Sequence, residues 1–248
     1  MPKTVLITGA NRGIGLGLAT TFARHGWHVI AACRSPDRAD GLNALCGVRP
    51  GLITLQALDV ASPDSIAALA DRLEGQPIDV CLNNAGIFGP RNDTATDLSE
   101  RLSGQLFGDV DYAAWSDVIT VNAFGPLRLA EALHENIAKS AQKAFVYISS
   151  TVGSIAHTLS SPMPVSPLIY PSSKTLGNAI MAALSKTLKP SGITVVSLCP
   201  GHVQTGLGGM NASLTVEESA ALLYAKIDGL SPADTGAFFN HQGERVGW

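Results

Sequence analysis

The chain has 248 residues, 46% hydrophobic and 15% charged, with a formal net charge of −3. That length and balance fit a globular enzyme with a sizeable core rather than a disordered or coiled protein. Without a basic block it has no surface for nucleic acid, and no apolar run approaches the roughly 20 residues of a membrane span.

The opening "MPKTVLITGA" runs straight into an apolar strand and lacks the longer hydrophobic region and small-residue cleavage site of a secretory leader. Short, nearly continuous apolar runs then alternate with longer helical patterns. Strands are expected at 4–8, 28–33, 52–58, 79–84, 144–149, 193–199 and 236–240, and helices near 14–25, 62–74, 112–138, 170–189 and 215–227. Ser62 followed by Pro63 reads as a helix start, and "TVEE" at 215–218 has the spacing of a capping box. Strands apolar along their whole length are buried on both faces, and regular βαβ alternation implies a doubly wound parallel sheet of about seven strands, a Rossmann-type α/β fold. No Pro/Gly/Ser-rich linker divides the chain, so a single domain over 1–248 is expected. Two stretches, 87–111 and 150–169, show no regular pattern. Both follow strand C-termini, the ligand side of an open α/β sheet, and long loops there are more often functional than idle.

Between the first strand and first helix lies "TGANRGIG" (8–15), with Gly9, Gly13 and Gly15. Such a turn lets backbone N–H groups approach a pyrophosphate, aided by the positive end of the following helix. The spacing differs from G-x-G-x-x-G, and the G-K-[ST] of a P-loop is absent. The second strand ends in Cys33 and Arg34 where an NAD site usually carries an acid. Arg34, with Arg12 from the glycine turn, could pair with a 2′-phosphate, which favours NADP(H); Asp37 keeps NAD(H) open. The four cysteines and six histidines show no ligand spacing, so no metal site is expected and the thiols read as reduced, in a cytoplasmic protein.

"YPSSK" (170–174) opens a long helical pattern. Tyr170 and Lys174 fall one turn apart on one helix face, and Pro171, tolerable only in a first turn, puts Tyr170 at the helix start. Taken together, "TGANRGIG", "NNAG" (83–86), "VNAFG" (121–125), "ISSTVG" (148–153), "YPSSK" and "CPGHVQT" (199–205) resemble, in type and order, the motifs of the short-chain dehydrogenase/reductase family. "ANRGIGLGL", the long 87–111 segment, "LTVEES" and "FFNHQGERVGW" are similar to its C-factor/Sniffer branch, near the carbonyl reductases.

The resemblance implies a catalytic tetrad of Asn122, Ser150, Tyr170 and Lys174, with Ser149 as the fallback serine. Ser150 and Tyr170 are 20 positions apart, farther than is typical of the family. It also implies a cofactor site along Gly9, Asn11, Arg12, Gly13, Ile14, Gly15, Arg34, Asp59, Val60, Asn84, Ala85, Gly86, Pro200, Gly201, Val203 and Thr205, with Tyr170 and Lys174. In such a site Asp59 would contact adenine, Thr205 the nicotinamide carboxamide, and Lys174 the nicotinamide ribose. Asn122 would hold a water leading from Lys174 to solvent. A fixed cation beside a phenol favours the phenolate, so Lys174 is expected to lower the Tyr170 pKa and let it exchange a proton with a substrate oxygen near neutral pH.

The implied activity is NADP(H)-dependent hydride transfer to or from an aldehyde or ketone. The alternative is a cofactor-binding signalling or regulatory protein of the C-factor type with little turnover. The substrate walls are expected in 87–111, 153–169 and 203–214, where Ile155, Leu159, Met163, Leu168, Leu207 and Met210 suggest apolar surface or simply loop packing; His157 and His202 are read as ordinary loop histidines. A small-molecule carbonyl or alcohol is the expected partner, with no nucleic acid and no membrane. A homodimer or homotetramer through the helices at 112–138 and 170–189 is implied by the resemblance.

Overall fold

The computed structural model describes residues 2–162, 166–209 and 211–248. In chain order the elements are β1 (Thr4–Thr8), α1 (Gly13–Arg24), β2 (His28–Cys33), α2 (Asp40–Val48), β3 (Ile53–Ala57), α3 (Pro63–Arg72) and β4 (Val80–Asn83). Next come α4 (Leu98–Arg101), β5 (Gln105–Leu106), β6 (Asp109–Val110), α5 (Tyr112–Ile119), a π-helical turn (Thr120–Phe124) and α6 (Gly125–Ala138). The chain continues through β7 (Ala144–Ile148), α7 (Ile155–Ser160), α8 (Ile169–Thr187), β8 (Thr194–Leu198), α9 (Val216–Asp228) and β9 (Phe238–Phe239).

Seven strands form one sheet in the order β3-β2-β1-β4-β7-β8-β9, every pair parallel. The chain winds outward from β1 to β3, then returns to the other side of β1 at β4. Strand order therefore reverses between β1 and β4, and the crevice at their C-terminal ends is where such sheets bind ligands. Each expected strand is present, most of them trimmed at the ends.

Alternate strand residues serve two separate cores, as a period of two requires. On one face Val5, Ile7, Val29, Ala31, Val80 and Leu82 pack with Leu18, Phe22, Leu223 and Ile227 of α1 and α9. On the other, Leu6, Ile30, Cys81, Phe145 and Tyr147 pack with Ile66, Leu69, Leu129, Leu133 and Met181 of α3, α6 and α8. Phe22 is fully buried and meets Trp27 and Tyr224 edge-on, with both centroid distances 4.9 Å. Truncating it to alanine would cost about 3–5 kcal/mol.

Both helix-start signals are present. Ser62 Oγ accepts the Ser65 N–H at 3.2 Å ahead of Pro63, and Thr215 and Glu218 form a complete capping box. Two sequence expectations, at 87–111 and 150–169, are corrected, and two helical details are added. The 40–48 stretch is helical although it carries two glycines and buries only Leu42, because Gly41 allows it to lie against Leu16 of α1. The expected 112–138 helix runs its full length through α5, the π turn and α6; Pro126 has no N–H for the Asn122 carbonyl, and the helix widens into the π turn there. The 87–111 stretch holds α4 and a hairpin closed at Gly108 (φ +89°), whose two-residue strands are too short for a periodicity signal. The 150–169 stretch holds α7, capped by Ser154 Oγ on the His157 N–H at 3.1 Å. Met163 and Met210 lie outside the described residues.

Cys33, Cys81, Cys199 and the half-buried Cys46 are all free thiols. Among the described residues no helix is long and apolar enough to cross a membrane.

Candidate active site

The glycine turn leaves β1 with Gly9 and Gly13 at positive φ, +64° and +52°, a backbone region that glycine enters without penalty. A β-carbon at Gly9 would lie 2.9 Å from the Ala85 Cα, so the turn presses directly on the chain leaving β4. Thr8 Oγ1 accepts the N–H groups of Asn84 and Ala85 at 3.1 and 3.0 Å. The Asn84 amide in return donates to the Thr8 and Gly9 carbonyls at 2.9 and 3.2 Å. Asn84 and Ala85 thereby fasten the two strands of the switch point, which gives the "NNAG" motif a structural reason. Arg12 caps α1 without a side-chain acceptor, and the first turn of α1 contains no acid to offset the positive helix end.

Asn11, Arg12, Arg34, Ser35 and Arg38 line a polar pocket of about 220 Å³ beside this turn. Arg38 Nη2 donates to Ser35 Oγ at 3.3 Å. Arg38 was missed in the sequence, although three arginines near one turn and strand end were visible as a signal; Asp37 does not line the pocket. Asp59 Oδ1 accepts the Ala61 N–H at 3.0 Å, which shapes the turn after β3, and Val60 is buried against Gly125 at the start of α6. Ile14 packs into the α1 core.

On the far side, Pro200 O accepts the Ser219 hydroxyl at 2.8 Å, Gly201 has φ +82°, and Val203 is buried in a bridge to Leu214. Thr205 Cγ2 stands 3.3 Å from where a Gly13 side chain would begin, so this loop closes over the glycine turn. His202 Nε2 is spent on the Gly208 carbonyl at 2.8 Å within its own loop.

Ser150 follows β7, Tyr170 and Lys174 sit in the first turns of α8, and Asn122 occupies the π turn. Lys174 is 4% exposed, and its Nζ donates to the Ile148 carbonyl at 2.8 Å. The same nitrogen stands 4.8 Å from the Tyr147 ring centre and 5.8 Å from that of Tyr170. Fully buried Asn122 pairs both ways with the Ile87 backbone at 2.9 Å and donates to Ser173 Oγ, also at 2.9 Å. A β-carbon on Gly86 would lie 3.3 Å from Asn122 Oδ1 and 3.6 Å from Lys174 Nζ, so Gly86 occupies the gap between them. Ser149 is buried with Oγ unpartnered, whereas Ser150 hydrogen-bonds the Tyr170 phenol; of the two serines, only Ser150 reaches the tyrosine.

The Tyr170 phenol titrates in the direction opposite to the sequence expectation. Burial raises its pKa, the Cys199 sulfur adds to the rise, and the Ser150 hydrogen bond only partly opposes it. Burial also pushes Lys174 down to about 8, with Cys199 acting the other way. Desolvation of the anion is the largest of these influences at the phenol. A neutral tyrosine is the protonation state that a proton donor needs.

The walls are uneven. Phe88 stacks on Tyr170 at 4.8 Å, and the Arg91 guanidinium lies 5.3 Å from the Phe88 ring centre. Arg91 donates to the Leu207 and Gly206 carbonyls at 2.7 and 2.6 Å and pairs with Asp93, joining the segment after β4 to the loop after β8. Neither Phe88 nor Arg91 was anticipated, since their partners are 82 and more than 110 positions away. Of the expected apolar wall, Leu159 is 84% exposed, Ile155 and Leu207 are also exposed, and Leu168 is half-buried.

The family model described as short chain dehydrogenase matches residues 3–214. The C-signal protein of Myxococcus xanthus is 34% identical over 172 residues, 69% of this chain and 93% of that protein. A carbonyl reductase from chicken fatty liver, solved with NADPH bound, superposes with a TM-score of 0.85 at 33% identity, covering 100% of this chain and 99% of that one. The carbonyl reductase Sniffer of D. melanogaster gives a TM-score of 0.81 at 30% identity with both chains covered fully. On its sheet order, its motifs and these matches, the chain belongs to the short-chain dehydrogenase/reductase family of oxidoreductases.

Proposed function

We propose that the chain, acting as one unit over 1–248, uses NADPH to reduce an aldehyde or ketone carrying an apolar group. The observation that carries this reading is the meeting of the Tyr170 phenol, the Ser150 hydroxyl and the buried Lys174 ammonium beside the glycine turn. The residues present fit a dinucleotide. Gly9, Gly13 and Gly15 let the turn pack closely on Ala85, Thr205 and the Gly9 carbonyl at a helix start that has no acid in its first turn, a place suited to a pyrophosphate, and Arg12, Arg34 and Arg38 suit a 2′-phosphate. Lys174 would hold the nicotinamide ribose, Asp59 and Val60 the adenine side, and Thr205 the carboxamide. NADP(H), when bound, supplies the hydride.

The chain's own groups do the rest. Ser150 hydrogen-bonds the substrate oxygen and stabilises its developing negative charge. Tyr170, kept neutral by burial, gives that oxygen a proton. Lys174 then sits where its positive charge limits the cost of the phenolate left behind. Asn122 holds the strand exit at Ile87 and the start of α8 at Ser173 in one arrangement. The long helices α5, α6 and α8 are the surface through which a homodimer or homotetramer would form, in keeping with the family.

The test follows NADPH, and separately NADH, absorbance with a panel of aldehydes, ketones and diketones. Wild type should consume NADPH, and Tyr170→Phe should be slower by about 10²–10⁴-fold. The likeness to C-signal favours a second reading, a cofactor-binding regulator. Tight NADPH binding by both proteins with no turnover of any panel member would favour that reading over the first.

A further inference from the structure

Helix α8 begins without a cap of its own. Its N-cap is Leu168, which has no side-chain acceptor, and Pro171 contributes no N–H in the first turn. A helix start leaves several backbone donors without intrahelical partners, and a buried start must find them elsewhere. Here one residue from a distant segment supplies two acceptors. Gln105 Oε1 accepts the Tyr170 N–H at 3.2 Å, and the Gln105 backbone carbonyl accepts the Leu168 N–H at 2.8 Å.

Gln105 is itself fixed on every side. It is completely buried. Its Nε2 donates to the Pro90 carbonyl at 2.8 Å and its backbone N–H donates to the Leu102 carbonyl at 2.9 Å. With both ends of the amide engaged, it has one orientation. Gly89 makes the fit possible: a β-carbon there would meet Ile169 and Val118 at 3.3 Å and Gln105 at 3.7 Å.

We infer that Gln105 is a positioning residue for the reaction, supplying from the inserted hairpin the acceptors that the start of α8 lacks and setting where the Tyr170 phenol stands relative to Ser150. This inference rests on the proposed acid/base role of Tyr170. The consequence is that the 87–111 segment, in addition to walling the substrate cleft, fixes the register of the proton donor.

Two variants of equal side-chain length separate positioning from plain structural support. Gln105→Met removes the acceptor. Gln105→Glu keeps one, and as the neutral acid it can still donate to Pro90. Gln105→Met should lower kcat by about 10–100-fold, the scale of a slightly misplaced reacting group, with NADPH binding unchanged. Gln105→Glu should restore most of kcat. A merely structural role predicts the reverse ranking, because a buried acid disturbs folding more than methionine does. Unchanged kcat in Gln105→Met, or Gln105→Glu as the worse variant, overturns the inference. Tyr170→Phe is assayed alongside. If it stays active, the acid/base reading falls and this inference with it; if it is inactive while Gln105→Met is normal, only this inference falls. Should Gln105→Met not fold, amide hydrogen exchange of the wild type decides. Protection of the Tyr170 N–H supports the inference, and exchange at the rate of an exposed loop overturns it.

Discussion

Gly15 lies directly over the carbonyl of Gly9, so a β-carbon at residue 15 would collide with that oxygen and come within 2.6 Å of Asn84 Nδ2. The contact locks the start of α1 to the end of β1 and to the "NNAG" stretch. Gly15→Ala should lose NADPH affinity and about 1–3 kcal/mol of stability, measured by fluorescence titration and denaturant melts. Gly47→Ala in α2, where a β-carbon meets nothing within 4 Å, is the control and should gain about 0.5–1 kcal/mol.

Arg38 shares the polar pocket with Arg12 and Arg34. Arg38→Ala should raise KM for NADPH about tenfold and leave NADH unaffected, because only the 2′-phosphate would meet the guanidinium. Arg34→Asp should move preference toward NADH. Equal changes with both cofactors would place these arginines outside a phosphate site.

Lys174 titrates at about 8 in the folded chain against an ordinary 10.5. Between those values the unfolded chain binds more protons than the folded one, so cofactor-free stability rises with pH across that window, by up to about 3 kcal/mol. Below pH 8 the cost of the buried ammonium is present in full. Lys174→Met should therefore be more stable than wild type at pH 7, by about 1–3 kcal/mol, while losing NADPH binding. Its advantage should shrink from pH 8 to 10.5 in thermal melts; a constant advantage would mean the ammonium is not the source.

Arg91 holds Gly206 and Leu207 from across the cleft. Arg91→Ala should free the two walls from each other and raise substrate KM several-fold, with each charge-assisted hydrogen bond contributing about 1.5–3 kcal/mol at most. NADPH KM should stay as it was. A drop in kcat alone would point instead to Phe88 and the Tyr170 ring it covers.

The motifs at 8–15, 83–86, 121–125, 148–153 and 170–174, the seven strands, and the Ser62 and Thr215 caps were legible because each is a local pattern of period, turn chemistry or adjacent residues. The hairpin at 105–110 was not, since two-residue strands carry no period. The π turn at Asn122 depends on Pro126 acting four residues away within an otherwise regular helical pattern.

What the sequence by itself determined is therefore the family and the succession of strands and helices along the chain. The tertiary structure alone decided that Gln105 and Arg91 bridge segments far apart in the chain. It also reversed the expected direction at the phenol. A one-turn spacing of Tyr170 and Lys174 suggests an ion-stabilised phenolate, but burial is a property of the packed molecule, and the desolvation it brings is the largest influence on both groups.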